Sequence, residues 1–259
     1  MKSDRGILVG ADARQEWLLS WWWENYRRHN AYPVSFADFG LSEEMRSWCK
    51  ERGELIDLRA ASEFVKGQNE VDPLLAKEWE SLYPPTFWKL REAWFKKPLA
   101  CREFPYNWTL WIDLDCEIIG SLEGIWSYRE FGVALAKDPF AKTAEHTIYN
   151  SGVILFQKNH PLILEWAKGS PEGNGLFRGD QDLLSHLIAK GGYALSELPP
   201  IYNWCVGREN KEGGKPFVFH FSGDLAKSYL KMKLRADSLA KGLPLEAIAK
   251  LGRPAKSPF

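Results

Sequence analysis

The chain has 259 residues, of which 34 are basic and 34 acidic, and 45% are hydrophobic. A chain of this length buries roughly three quarters of the surface that its unfolded form exposes, so one large domain with its own core is expected and disordered or fibrous classes are excluded. Because the charges balance, no overall field attracts a polyanion, and we expect no nucleic-acid partner.

The first half of the chain predicts strands that alternate with helices. Residues 6–10 (GILVG) predict a buried strand that opens onto a loop, and apolar residues at helical spacing over 15–28 predict the helix that follows. The stretch VSFADFG predicts a second strand, residues 41–52 a second helix, and ELIDLR a third strand. A Pro-Pro turn then leads into a helix that begins near Thr86.

The second half of the chain continues this alternation. Residues 108–112 (WTLWI) predict an apolar strand, and FGVALAKD, SGVILFQ and PFVFHFS predict later strands, with helices near 160–168 and 180–190. Alternating strands and helices predict an α/β fold with a mainly parallel central sheet flanked by helices on both faces. In such sheets, ligands bind outside the carboxyl ends of the strands.

An Asp-x-Asp pattern follows the apolar strand WTLWI. Asp113 and Asp115 project to the same side of an extended chain, so both carboxylates can face one cation. Oxygen ligands of this kind suit Mg²⁺ or Mn²⁺, which usually complete their shells with substrate phosphates. The pattern therefore predicts a metal site that binds a diphosphate, although two aspartates at this spacing also occur on ordinary surface turns.

Three further segments place polar residues beside apolar ones. Asn150 and Ser151 precede an apolar run, where they can face a ligand or form an ordinary turn. Residues 180–182 (DQD) crowd the start of an amphipathic helix, and capping explains at least one of them. His220 lies on the strand PFVFHFS, where a lone histidine is either structural or a ligand.

These elements occur in the order found in the family-eight glycosyltransferases, a group that includes glycogenin and bacterial lipopolysaccharide galactosyltransferases. The chain resembles this family from Gly6 to about Lys227, through the opening strand with Asp12, FWKL, WIDLDCEIIGSLEGIW, NSGV, GDQDLL, LPPIYN and HFSG. The resemblance implies the GT-A (nucleotide-diphospho-sugar transferase) fold. We therefore expect a catalytic domain over residues 1–230, followed by a basic helix and tail over 231–259.

The resemblance also implies roles for individual residues. It implies that Asp113, Asp115 and His220 hold Mn²⁺ or Mg²⁺ on the diphosphate of a UDP-sugar donor. Ala11 and Asp12 match positions at the uracil and ribose, and Lys89 matches a position near the donor where the family often has Arg. Asn150, Asp180 and Gln181 match positions around the transferred sugar and the reacting centre. Gly223 matches a position on a loop that closes over the phosphates.

The end of the matched region departs from the family pattern. The family places a Lys six residues after the metal His and follows it with Pro-Trp, whereas this chain has Ala226 at that position and Lys227 one residue later, without Pro-Trp. Contact between Lys227 and the donor phosphates therefore depends on whether the displaced side chain reaches the site.

The resemblance implies an enzyme that transfers a hexose, with glucose or galactose as the family-weighted guess, from UDP to an unidentified acceptor hydroxyl with retention of configuration. The sequence leaves the acceptor open among a glycan, a lipid, a protein and a small molecule. A nucleotidyltransferase is the first alternative, but that class holds its triphosphate on a Gly-rich basic loop after the first strand, where this chain has GADARQEW. The second alternative is a non-catalytic carbohydrate-binding protein that uses tryptophans as stacking platforms.

The C-terminal tail and the cysteines predict where in the cell the protein is located. Residues 231–259 carry seven basic and two acidic residues, which predicts either a solvated tail or peripheral contact with an anionic membrane surface. The four cysteines form no CxxC pair, which favours reduced thiols, and Asp12 and Arg14 interrupt the apolar stretch near the N-terminus. We expect a cytoplasmic protein, with possible contact at the inner face of a membrane.

Overall fold

A computed structural model describes residues 3–62, 64–83, 86–142, 146–207 and 214–240. In these ranges the strands are β1 (Arg5–Ala11), β2 (Val34–Asp38), β3 (Glu54–Asp57), β4 (Trp108–Ile112), β5 (Cys116–Ile118), β6 (Val133–Lys142), β7 (Thr147–Gln157), β8 (Ser196–Glu197), β9 (Trp204–Cys205) and β10 (Val218–His220). The α-helices there are α1 (Leu19–His29), α2 (Glu43–Lys50), α3 (Pro73–Leu82), α4 (Phe87–Arg102), α5 (Pro161–Gly173), α6 (Asp180–Gly191) and α7 (Asp224–Ala240).

The strands of the described residues form two sheets. The larger has seven strands in the order β3-β2-β1-β4-β7-β6-β8, and the smaller has the order β5-β10-β9. In the larger sheet β3, β2, β1 and β4 are parallel, whereas β7 is antiparallel to both β4 and β6. The predicted α/β class with a mainly parallel central sheet is confirmed. The antiparallel direction of β7 was not predicted, because hydrophobic periodicity does not report which strand pairs with which.

Helices cover both faces of the large sheet. On β1, Ile7 and Val9 pack in one core cluster with Trp22 of α1, while Leu8 packs in a second cluster with Trp166 of α5. Successive side chains of a strand point to opposite faces, so one apolar strand contributes to both clusters. Burial of each large side chain contributes about 1.5–3 kcal/mol, which makes the central strands a rigid support for the residues at their ends.

One edge of the large sheet collects the polar residues predicted for the site. The carboxyl ends of β1 and β4 lie there, and the first half of β7 joins them because β7 runs in the opposite direction, with Ile112 paired to Val153. Asn150 and Ser151 lie within β7. The alternative of an ordinary turn before the strand is therefore wrong for these two residues.

The C-terminal helix packs on the body of the protein. Leu230 and Leu234 of α7 belong to the core cluster that contains Ile7 and Trp22. The expected domain boundary between residues 230 and 231 therefore falls inside a packed helix. Residues 241–259, which contain four of the seven basic residues of the expected tail, lie outside the described residues. In the described part of the chain, no helix combines the length and apolarity needed to span a membrane.

Candidate active site

Backbone hydrogen bonds fix the acidic turn after β4 on both sides. The amide of Asp113 donates to the carbonyl of Gly152 on β7 (2.7 Å), and the amide of Phe221, directly after β10, donates to the carbonyl of Asp115 (3.0 Å). The two aspartates therefore project from a rigid turn that lies between the large and the small sheet. The turn is not an ordinary surface turn, because Asp115 is only 9% exposed.

The imidazole of His220 lies beside both aspartates. Its Nε2 is 3.4 Å from Oδ1 of Asp115 and 3.9 Å from Oδ2 of Asp113. On the other side of the ring, Nδ1 lies 2.9 Å from Oδ1 of Asn203. A Cβ at Gly152 would lie 2.2 Å from Cε1 of His220, so only glycine leaves room for the ring at this point of β7.

The charges of this group are strongly coupled. Burial opposes the charged form of His220, but the carboxylate of Asp115 outweighs burial and raises the pKa of the imidazole. Burial likewise opposes ionisation of Asp115, but Lys227 and His220 outweigh it and lower the pKa of that carboxyl. The site thus stabilises the ionised carboxylate that a metal needs, and a metal that binds His220 would have to displace the proton of the imidazole.

The residues present fit a hard divalent cation. Adjacent ligands around an octahedral ion with bonds of about 2.1 Å lie about 3.0 Å apart. The separations of 3.4 Å and 3.9 Å from His220 to the two aspartates approach this spacing, so metal binding would draw these side chains closer together. Carboxylate oxygens and an imidazole nitrogen are both ligands for divalent cations.

Lys97 of α4 forms the centre of a second set of contacts. Its Nζ lies 2.9 Å from Oδ1 of Asp113 and 3.2 Å from Oδ2 of Asp180, and it donates to Oγ of Ser151 (3.2 Å). Burial lowers the pKa of Lys97, but Asp113 and Asp180 outweigh it and raise the pKa above its usual value. Lys97 therefore links the aspartate after β4 to the start of α6.

The family resemblance placed Lys89 near the donor, and Lys97 was not predicted. The inward stripe of α4 runs through Phe87, Arg91 and Trp94 to Lys97 at helical spacing, which leaves Lys89 exposed on another face and outside the lining of the cleft. The structure therefore does not bring Lys89 together with the other predicted site residues. The available signal was the pair of lysines inside the apolar stretch AWFKKPLA, because lysine on a buried helix face requires a partner.

The first turn of α6 connects to β6 and β7 through side-chain hydrogen bonds. Oγ of Ser151 donates to Oδ2 of Asp180 (2.8 Å), and the amide nitrogens of Gln181 (3.0 Å) and Asn150 (3.3 Å) both donate to Oδ2 of Asp138. Burial raises the pKa of Asp180, although Lys97 opposes the shift. The N-cap of α6 is Gly179, so Asp180 is engaged by Lys97 and Ser151 in place of a capping role. Asp138 was not predicted.

Lys227 reaches the cleft despite its displaced position in sequence. Its Nζ lies 3.2 Å from Oδ2 of Asp115, and both residues line the cleft. The first turn of α7 begins after Gly223, which has a φ of +82° and also lines the cleft. Glycine adopts this left-handed conformation without strain, so the chain can turn sharply from β10 into α7 and direct Lys227 inward.

The end of β1 borders the same region. Ala11 and Gln15 line a cavity that shares Asp115 and Lys227 with the cleft. Oδ1 of Asp12 accepts from the amide of Arg14 (2.9 Å), and Oδ2 accepts from Nε of Arg14 (2.9 Å). The structure therefore places Ala11 on the cavity wall, while the Asp12 side chain holds the loop that follows β1.

Most of these residues line one cleft, which has a cavity volume of about 170 Å³. Asp113, Asp115 and His220 line one side, and Asp180 and Gln181 line another. Tyr83, Phe87 and Trp94 add an aromatic wall. Several other tryptophans contribute to packing, since Trp22, Trp111, Trp126 and Trp166 are among the largest fully buried side chains.

Comparison with known proteins finds similarity in structure. No model of a known protein family matches the chain, and no curated protein matches it. The structure of the galactosyltransferase LgtC with donor and acceptor sugar analogues matches with a TM-score of 0.64 at 16% identity, over 95% of this chain and 99% of that one. Mouse xyloside xylosyltransferase 1 matches with a TM-score of 0.54 at 13% identity, over 85% of this chain and 98% of that one.

A third solved structure, the glycosyltransferase GlyE of Streptococcus pneumoniae TIGR4, matches with a TM-score of 0.57 at 15% identity, over 98% of this chain and 66% of that one. The named proteins are all glycosyltransferases, and the likeness extends over most of the described chain. At these identities the comparison establishes the fold. The protein has the GT-A glycosyltransferase fold, as the sequence predicted.

Proposed function

We propose that the protein is a metal-dependent glycosyltransferase that moves a sugar from a UDP-sugar to an acceptor hydroxyl. One observation carries the proposal: Asp113, Asp115 and His220 face the same cleft as Asp180 and Gln181. The first group suits a metal-bound diphosphate, and the second suits the hydroxyl groups of a sugar. Transfer requires these two recognition sites to be adjacent, since the bond that breaks joins diphosphate to sugar.

The positive charges of the site are arranged for departure of the diphosphate. A divalent cation held by Asp113, Asp115 and His220 would act as a Lewis acid on the developing negative charge. Lys227, which lies 3.2 Å from Asp115 on the cleft wall, adds a side-chain cation on the same side. Lys97 contacts both Asp113 (2.9 Å) and Asp180 (3.2 Å) and orients them before substrate binds, so little reorganisation is needed during reaction.

The transferred sugar is proposed to lie against Asn150, Asp180 and Gln181. The amide of Gln181 is fixed because it donates to Asp138 and accepts from the amide of Ser151 (3.2 Å). An amide oxygen is a weak nucleophile, so the role we assign to Gln181 is stabilisation of the positive charge that develops at the anomeric carbon. Attack by the acceptor on the face that the diphosphate leaves would then retain the configuration of a transferred glucose or galactose.

The nucleoside and the acceptor are assigned to neighbouring parts of the cleft that share Trp94. The cavities beside Ala11, Gln15 and Trp17 adjoin Asp115 and offer apolar and aromatic surface for uridine. The wall formed by Tyr83 and Trp94 offers ring faces on which the apolar face of an acceptor sugar could stack. A glycan acceptor, free or attached to lipid or protein, is consistent with this wall.

Nucleotide binding is the first test. UDP at about 100 times its Kd stabilises a protein by about 2.7 kcal/mol, so we expect thermal unfolding to shift by about 5–10 °C with Mn²⁺ present and by much less with a chelator. Glu130→Gln, at an exposed position remote from the cleft lining, should show the same shift. Absence of any nucleotide response across Mn²⁺ and Mg²⁺ concentrations would instead favour the non-catalytic carbohydrate-binding alternative.

The proposed sugar contact of Asp180 has its own test. Asp180→Asn removes a charge that touches Lys97 and Ser151, and we expect at least a tenfold loss of kcat/KM with the preferred UDP-sugar, with a smaller loss for sugars lacking the contacted hydroxyl. Asp182→Asn is the matched control on the same turn, because Asp182 pairs with Arg178 (3.1 Å). Equal effects at both positions, or an unchanged donor preference, would contradict the assignment.

The nucleotidyltransferase alternative draws no support from the loop after β1. The guanidinium of Arg14 lies 2.8 Å from Asp12 and 2.9 Å from Glu92 of α4, so its charge is already paired. A triphosphate site needs basic groups directed at the ligand. Incubation with UTP and a hexose 1-phosphate checks this alternative, and formation of pyrophosphate would establish it.

A further inference from the structure

Two thiols flank His220 in the small sheet, and the proposed transfer reaction uses neither of them. Cys116 of β5 is the antiparallel partner of His220, and Cys205 of β9 is its parallel partner. Residues that are directly opposite across a sheet project from the same face and lie close together. Cys116, His220 and Cys205 therefore form a row, with the imidazole in the middle.

The row continues into the acidic turn. Ligand atoms of Asp115, Cys116 and His220 all lie within 4.8 Å of one another. The ligands of a tetrahedral zinc ion lie roughly 3.3–3.6 Å apart, which the 3.4 Å between Nε2 of His220 and Oδ1 of Asp115 already matches. A displacement of the Cys116 sulfur by about an ångström would complete three ligands, and the cleft beside Asp115 and His220 leaves a fourth position.

From this arrangement we propose that the protein binds a thiophilic divalent cation of the zinc class through Cys116, Asp115 and His220. A hard ion such as Mn²⁺ uses oxygen and imidazole ligands on the Asp113 side, whereas a softer ion prefers the thiolate on the Cys116 side. Because Asp115 and His220 belong to both ligand sets, the two ions cannot be bound together. Zinc-class ions are thus expected to displace Mn²⁺ and to inhibit any reaction that depends on it.

The alternative is that Cys116 is an ordinary buried thiol. Burial, together with the charge of Asp115, raises the pKa of Cys116 well above its usual value, so without a metal this thiol is protonated and unreactive. A bound cation would offset the free-energy cost of ionising this buried thiol, because a thiol that coordinates a metal loses its proton. Cys49, which lies on α2, is likewise fully buried. Cys116 differs from it because a carboxylate and an imidazole lie beside the Cys116 thiol.

Cobalt gives a readout that needs neither nucleotide nor turnover, so it stands apart from the test of the proposed transferase activity. Metal-free protein kept reduced is titrated with Co²⁺, and we expect a thiolate-to-cobalt charge-transfer band that saturates at one ion per chain. Zn²⁺ should abolish the band by displacement. Cys116→Ser should remove the band, and Cys49→Ser should leave it unchanged.

Asp115→Asn provides a second variant that keeps the thiol in place. It is expected to weaken Co²⁺ binding at least tenfold, because it removes a charged ligand shared by the cluster. Circular dichroism establishes that each variant is folded before titration. Absence of the band in the native chain, or a band that survives in folded Cys116→Ser, would overturn the proposal. If Cys116→Ser does not fold, a native band unaffected by Asp115→Asn would overturn it equally.

Discussion

Asp115→Asn is expected to lower kcat/KM for release of UDP from a UDP-hexose by at least about 10³-fold, which corresponds to about 4 kcal/mol of transition-state stabilisation. Asp115 contacts His220 (3.4 Å) and Lys227 (3.2 Å), so it connects a proposed metal ligand to the side-chain cation of the diphosphate side. Loss of its charge weakens metal binding and leaves the leaving group less well neutralised. UDP release is measured with and without Mn²⁺.

The control separates loss of chemistry from loss of folding. Glu130→Gln also removes one carboxylate charge, but from an exposed site, and should retain the native rate. The thermal unfolding of Asp115→Asn is followed in parallel, and the activity ratio is compared at temperatures where both variants are folded. A folded Asp115→Asn variant with a rate within tenfold of the native one would remove Asp115 from the metal site.

Lys97→Met is expected to lower the free energy of unfolding by about 3–5 kcal/mol, a cost typical of breaking a buried ion pair from one side. Lys97 lies between Asp113 and Asp180, and its side chain is 6% exposed. Its removal leaves two neighbouring carboxylates without their shared cation. Urea unfolding at neutral pH gives the free-energy difference, provided that the slope against urea is unchanged.

The neighbouring lysine supplies a matched control. Lys96 is also buried, but its Nζ donates to the carbonyl of Phe39 (2.8 Å), so Lys96→Met should cost only about 1–2 kcal/mol. The two variants should also differ in pH dependence. Burial raises the pKa of Asp180 and Lys97 opposes this, so in Lys97→Met the folded carboxyl binds a proton more readily and the stability deficit shrinks as pH falls. Equal, pH-independent losses would show that Lys97 is not the counterion.

The elements predicted best are those whose signal is local. The strand predicted at 108–112 coincides with β4, and the helix predicted from residue 180 begins at Asp180, because a short apolar run and an amphipathic repeat are properties of adjacent residues. Helix α3 was not predicted, although Asp72 accepts from the amide of Leu74 (2.8 Å) as an N-cap and Pro73 follows it. Its flanking charges and aromatics obscured the periodicity.

The residues of the candidate site likewise divide into those with a local sequence signal and those without one. Asp113, Asp115, Asp180 and His220 lie beside strand ends or at the start of a helix, where ligands of α/β folds bind, and the family resemblance implied their roles. Lys97 could not be placed, since its position depends on which face of α4 meets the sheet. For the same reason the sequence could not show that Lys89 lies outside the lining of the cleft.

The sequence by itself determined the α/β class and the positions of the acidic turn and the histidine, because these follow from local hydrophobic patterns and strand ends. The tertiary structure alone decided that Asp138 orients Gln181, that Lys97 joins two carboxylates and that Cys116 and Cys205 flank His220. These contacts depend on the antiparallel direction of β7 and on the strand order of the small sheet. Pairing between distant segments is set by packing of the whole chain, and no local pattern encodes it.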